Sequence, residues 1–147
     1  MLHKAALKAV LAIAAASTTN GATVTGNIDT LGFDRLNIDV FATTADVVSN
    51  KFQTCKLSHS DTTDATNFSD LTAFVAGGTG GFTLANADTS AGYIVKFNVD
   101  AKKTKRYVKV SVSPRTTQTI GAIANLSTAE QAPTAASAAG VNTLVEG

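Results

Sequence analysis

Residues 93–113 read Tyr93-Ile94-Val95-Lys96-Phe97-Asn98-Val99-Asp100, then Ala101-Lys102-Lys103-Thr104-Lys105, then Arg106-Tyr107-Val108-Lys109-Val110-Ser111-Val112-Ser113. Tyr93, Val95, Phe97 and Val99 alternate with Ile94, Lys96, Asn98 and Asp100, and Val108, Val110 and Val112 alternate with Lys109, Ser111 and Ser113. A period of two is the mark of a strand with one buried face. The two runs flank a short basic link, so the stretch predicts a pair of antiparallel strands with Val108, Val110 and Val112 in the core. Tyr107 falls out of phase with those valines, which turns its ring to the other side of the sheet.

The rest of the chain fits around that pair. A length of 147 residues points to one domain, in which about 70% of the unfolded surface can be buried. The sequence is 44% hydrophobic and 16% charged, with a net charge of +1. Sparse, balanced charge argues against a nucleic-acid binder held by phosphate contacts. Cys55 is the only cysteine, so no internal disulfide forms, and its place in a strand-like run reads as a small core residue.

Outward from residues 93–113, further strands are expected at Ala22 to Ile28, around Leu36, Ile38 and Val40, from Phe52 to His59, from Asp70 to Val75, at Phe82 to Leu84, and from Ile120 to Leu126. Turn residues separate them: Asn20-Gly21, the Asp/Thr/Asn-rich stretch 60–69, and Gly77 to Gly81. About seven or eight short strands without a long amphipathic helix predict an all-β fold, an antiparallel β-sandwich or jelly-roll-like domain with extended N- and C-terminal arms. The expected divisions are an arm or edge strand over 1–20, the sandwich over 21–132 and a C-terminal arm over 133–147.

The N-terminal run Ala9 to Ala16 follows Lys4 and Lys8. It is too short to span a membrane. Ala14-Ala15-Ala16-Ser17 has the small residues of a signal-peptidase site. Its alternative reading is a strand or arm buried on both faces.

Few residues of the sequence suit chemistry. His59 in Ser58-His59-Ser60-Asp61 is too close in sequence to its neighbours for a catalytic triad, which assembles from separate segments, and reads as a surface side chain. His3, His59 and Cys55 are too few and too scattered for zinc. Asp61, Asp64 and Asp70 match only part of a calcium loop and are also ordinary turn formers. Gly77 to Gly81 lacks the Lys-Ser/Thr of a phosphate loop. Lys102, Lys103, Lys105 and Arg106 are the one charge run, either a contact for an acidic partner or a solvated link that blunts sheet edges. No catalytic residue, metal or cofactor is expected.

Five motifs in order carry a resemblance: Ile28 to Asp34 (IDTLGFD), Lys56 to Asp61 (KLSHSD), Phe68-Ser69-Asp70, Lys105 to Val110 (KRYVKV) and Ala129 to Pro133 (AEQAP). Together they resemble a group of small structural proteins of tailed-bacteriophage heads and necks. The pattern departs at Thr62, where a second acid is usual, and at Lys103-Thr104, where Gly often stands. The resemblance implies a non-enzymatic virion component, a capsid decoration (cement) protein, with neck, tail or head-fibre-base proteins as the alternative and a secreted carbohydrate-binding sandwich further off. It implies a β-rich homo-oligomer, a trimer above others, made in the host cytoplasm and placed on the capsid surface. The major capsid protein or another virion protein is the implied partner, with no role for nucleic acid or membrane. Contact residues are expected on the arms (Leu7, Val10, Leu11, Val141, Leu144 and Val145) and at the basic link (Lys103, Arg106 and Tyr107).

Overall fold

A computed structural model describes residues 7–43, 52–85, 92–128 and 143–146. It contains nine strands: β1 (Leu7–Thr18), β2 (Val24–Asp29), β3 (Arg35–Ala42), β4 (Thr54–Ser60), β5 (Ser69–Val75), β6 (Tyr93–Asp100), β7 (Tyr107–Ser113), β8 (Gln118–Ser127) and β9 (Thr143–Glu146). They form a five-stranded sheet of order β1-β8-β3-β6-β9 and a four-stranded sheet of order β2-β7-β4-β5.

The pairings are nested. β1 pairs with β8, β2 with β7, β3 with β6 and β4 with β5, all antiparallel. The chain is therefore one long antiparallel hairpin, with its tip between β4 and β5, rolled so that β1-β8-β3-β6 faces β2-β7-β4-β5. This is the winding of a jelly roll, a form of sandwich that stacks two antiparallel sheets. β9 is an addition to it, pairing in parallel with β6.

Alternation explains how the two sheets share a core. Leu36, Ile38 and Val40 of β3, Tyr93, Val95, Phe97 and Val99 of β6, and Ile120, Ala122, Ala124 and Leu126 of β8 face inward and are buried. Cys55 and Leu57 of β4 and Val108, Val110 and Val112 of β7 meet them from the other sheet. Phe97 packs edge-on against Phe74 and Phe82 at ring separations of 6.0 and 5.6 Å. Burial raises the Cys55 thiol pKa far above its ordinary value, leaving a neutral core side chain.

The expected pairing of residues 93–100 with 107–113 is corrected. β6 and β7 lie in different sheets, and their apolar faces meet across the core instead of side by side. Period two identifies which face is buried; it carries no information about the hydrogen-bonded neighbour. The link between them spans the gap of about 10 Å that separates packed sheets, with a turn of 3-10 helix at Ala101–Lys103. Its ends are fastened: Ala101 N–H donates to the Asp34 carbonyl (2.9 Å), and the Arg106 carbonyl accepts from Thr30 N–H (3.0 Å) and Thr30 Oγ1 (2.8 Å).

The ends of the chain also differ from expectation. β1 is an edge strand, but it is not buried on both faces: of its residues only Ile13 and Thr18 are buried. Two irregularities in its register with β8, between Leu11 and Ile13 and between Ile13 and Ala16, bend it toward β2. Gly26 of β2 permits the approach, since a Cβ there would lie 1.9 Å from the Ala12 carbonyl oxygen. At the other edge, β9 is part of the sheet. Val145 is buried in the core, and Thr143 Oγ1 accepts from Ala85 N–H at 3.1 Å and lies 3.3 Å from the Tyr93 hydroxyl. Phe82 to Leu84 forms only an isolated bridge, Phe82 with Ala76. There Gly77 and Gly80 take the positive φ values, 71° and 76°, of a tight turn.

Candidate interaction surface

Strand register determines which side chains share the outer face of the five-stranded sheet. One row across it is Leu11, Ile123, Asp39, Lys96 and Leu144, contributed by β1, β8, β3, β6 and β9. The next is Ala9, Asn125, Asn37 and Asn98. On the other side of the first row, Gly121, Phe41 and Ile94 are neighbours. A Cβ at Gly121 would lie 2.5 Å from Phe41 Cζ, so the Phe41 ring occupies the space over this glycine and shields its backbone. Leu7 extends the apolar strip along β1, opposite Ser127.

Five large apolar side chains of the described residues are exposed: Leu7 (76%), Leu11 (65%), Leu31 (66%), Ile94 (36%) and Ile123 (41%). All but Leu31, which lies in the β2–β3 turn, are on this outer face. Asp39 and Lys96 form a 2.7 Å ion pair in its middle, with side chains only 29% and 17% exposed. The face is thus apolar toward its margins, with a polar, internally neutralised centre.

The expected contact residues do not form one patch. Leu7 and Leu11 lie exposed on this face, and half-buried Leu144 lies at its far edge. Val10 turns inward opposite Ala124 and packs against the core. Val145 is a core residue, unavailable to a partner because parallel pairing with β6 puts it opposite Phe97 on the inward face. Val141 lies outside the described residues, as does the Ala129 to Pro133 motif. Ile94, Ile123 and Phe41 were not anticipated. Their signal is an apolar residue at the outward phase: Ile94 between Tyr93 and Val95, and Ile123 between Ala122 and Ala124.

The basic link is not a basic surface. Lys102 pairs with Asp34 (3.5 Å), Lys103 with Asp100 (3.8 Å), Lys105 with Asp61 (3.3 Å) and Arg106 with Asp29 (2.8 Å). Each exposed pair adds little stability, but together they cancel the charge. Arg106 donates to both Asp29 carboxylate oxygens and holds that carboxyl down at about 2. Its guanidinium also lies 4.9 Å from the ring centre of half-buried Tyr107, a cation–π contact within the chain.

The other chemical candidates also have local roles. His59 Nδ1 accepts the Lys105 N–H at 3.2 Å, and its pKa is lowered by partial burial and by the Lys105 charge. Asp64 caps the 3-10 turn Ala65–Asn67, accepting from Thr66 N–H and Oγ1. Asp70 pairs with Lys56. Among the described residues, no three His, Cys, Asp or Glu side chains come together as a metal site, and no helix is long and apolar enough to cross a membrane.

Comparison with protein-family models, with curated proteins and with solved structures finds no match in any of the three. The arrangement of side chains therefore carries the functional argument. What it offers is a sheet face with exposed apolar side chains toward its margins and a polar centre.

Proposed function

We propose that this protein is a non-enzymatic structural component of a tailed-bacteriophage virion, a decoration (cement) protein that binds the outside of the capsid and stabilises it. The jelly roll serves viral capsid proteins, lectins and cupins alike, so function has to be argued from the surface. The observation that carries the reading is the exposure of Leu7, Leu11, Ile94 and Ile123 on one sheet face. Exposed apolar side chains on one face mark interaction surfaces, and aliphatic margins around a charge-neutralised centre suit burial against a protein. The five ordered sequence motifs point the same way. A stable contact would bury about 1,200–2,000 Å² in total, and repetition over a shell lets weak contacts act together. The major capsid protein is the proposed partner, and a homotrimer the proposed assembly.

Two measurements test this. Quantitative gels of purified particles are expected to show on the order of hundreds of copies per particle. A count of about six or twelve, as one ring would give, moves the protein to the neck or tail, and its absence from particles removes the virion reading. Leu11→Gln and Ile123→Gln are expected to leave stability within about 0.5 kcal/mol of the parent while reducing binding to undecorated capsids. Full binding by the double variant would exclude this face.

A further inference from the structure

The outer face of the four-stranded sheet differs in chemistry from the face just described. One row across it is Asn27, Lys109, Ser58 and Asp70, and Ser111 and Lys56 are opposite each other in the next. With Phe68, the last five of these line an open cavity of about 420 Å³. Lys56 Nζ is 3.0 Å from Asp70 Oδ2, so those charges cancel. Lys109 Nζ instead lies 4.2 Å from the ring centre of Phe68, and the described residues give it no carboxylate partner. The cavity therefore has one uncompensated positive charge.

At its floor is Ser58, 2% exposed, whose Oγ has no hydrogen-bond partner. A buried hydroxyl without a partner is destabilising. Alanine would remove the defect, yet a serine stands between a lysine and an aspartate in the row. Ser111, also buried, adds a second hydroxyl beside it.

We propose that this cavity binds one oxyanion, a phosphate or carboxylate group, through Lys109, Ser58 and Ser111. The Phe68 ring holds the Lys109 ammonium in a cation–π contact. An arriving anion draws the ammonium off the ring, and that movement opens the way to the Ser58 hydroxyl, which then donates to an anion oxygen. Charge-assisted hydrogen bonds of this type are about twice as strong as neutral ones. Lys56 is held back by Asp70, so the site is matched to a single negative charge. This site is independent of the apolar face and of the virion reading.

The test is an amide NMR titration of the full chain with inorganic phosphate and, separately, acetate, at ionic strength held constant with chloride. Saturable shifts at Ser58, Lys109 and Ser111 are expected, with at least about tenfold weaker binding in Lys109→Gln. Ser58→Ala is expected to weaken binding while its anion-free unfolding midpoint equals or exceeds that of the parent, a combination that a purely structural serine would not give. Response to phosphate alone assigns a phosphoryl ligand; equal response to acetate assigns a carboxylate. Either supports the site. Equal shifts with chloride, or undiminished binding by Lys109→Gln or Ser58→Ala, would overturn it.

Discussion

Replacing Gly26 by alanine tests how the open side of the jelly roll is closed. The new Cβ would lie 1.9 Å from the Ala12 carbonyl oxygen and 2.6 Å from its carbon, whereas real Cβ contacts are essentially never under 3.0 Å. The backbone of β1 must therefore retreat by roughly 1 Å at this point, against its pairing with β8. Overpacking of this type costs about 1–3 kcal/mol. If β1 detaches instead, the burial of Ile13 is lost, a further ~1.5–3 kcal/mol. The opposing gain from a stiffer unfolded chain is at most about 1 kcal/mol. A net loss of about 2 kcal/mol lowers Tm by about 4–8 °C at this chain length. Urea unfolding measures the loss, and hydrogen exchange at Leu11 to Ala16 locates it. Ala12→Gly in the same background should not restore stability, because the collision is with backbone. An unchanged or raised midpoint with unaltered exchange in β1 would refute the reasoning.

Removal of residues 143–147 is expected to lower Tm as well as any binding. It takes Val145 from the core, ~1.5–3 kcal/mol, and removes the Thr143 hydroxyl from Ala85 and Tyr93; an unaltered melt would show that β9 is dispensable. Asp29, depressed from 3.8 to about 2 by Arg106, contributes stability that is present above pH 4 and lost as the pH falls toward 2. Arg106→Gln should flatten the acid limb of the stability–pH curve in that window, and an identical limb would remove the pair from the account. His59, whose pKa is lowered, is most favourable when neutral, so its contribution falls as the pH drops below about 6.5; the arginine variant should leave that part largely intact. Cys55, fully buried with a raised pKa, should react with a thiol reagent only at the rate of unfolding, and rapid labelling of the folded protein would contradict its core position.

Much of this architecture is readable in the sequence, and the parts that are not have identifiable causes. Val108, Val110 and Val112, like Tyr93, Val95, Phe97 and Val99, are buried as their alternation requires, because burial depends on which face a side chain occupies. Pairing depends on segments far apart in the chain, and β6 and β7 carry no local sign that they belong to different sheets. β9 offers only Thr143, Leu144 and Val145 as strand formers, and its parallel ladder needs β6 already in place. The cations from Lys102 to Arg106 look like a binding patch because their partners Asp29, Asp34 and Asp61 lie far upstream and only the fold gathers them. The exposed apolar residues of the five-stranded sheet were partly visible at Leu7 and Leu11. The rest of it required the register, since Ile94 and Ile123 gain meaning only when β6, β3 and β8 are laid side by side.

The nesting of the strand pairs also bears on how the protein is made. Of the described strands β1 is made first, yet its partner β8 is nearly the last of them to follow. At about 5–20 residues per second, β1 waits on the order of ten seconds for its ladder. During that time its Leu, Val and Ile side chains and unpaired backbone groups are open to other chains. Among the described strands only β4 and β5 are consecutive and pair, so the hairpin tip can form early while the rest waits for contacts between distant segments, which form slowly. Lys8 is the only charge within β1, and during synthesis it is the one side chain there that discourages intermolecular strand pairing.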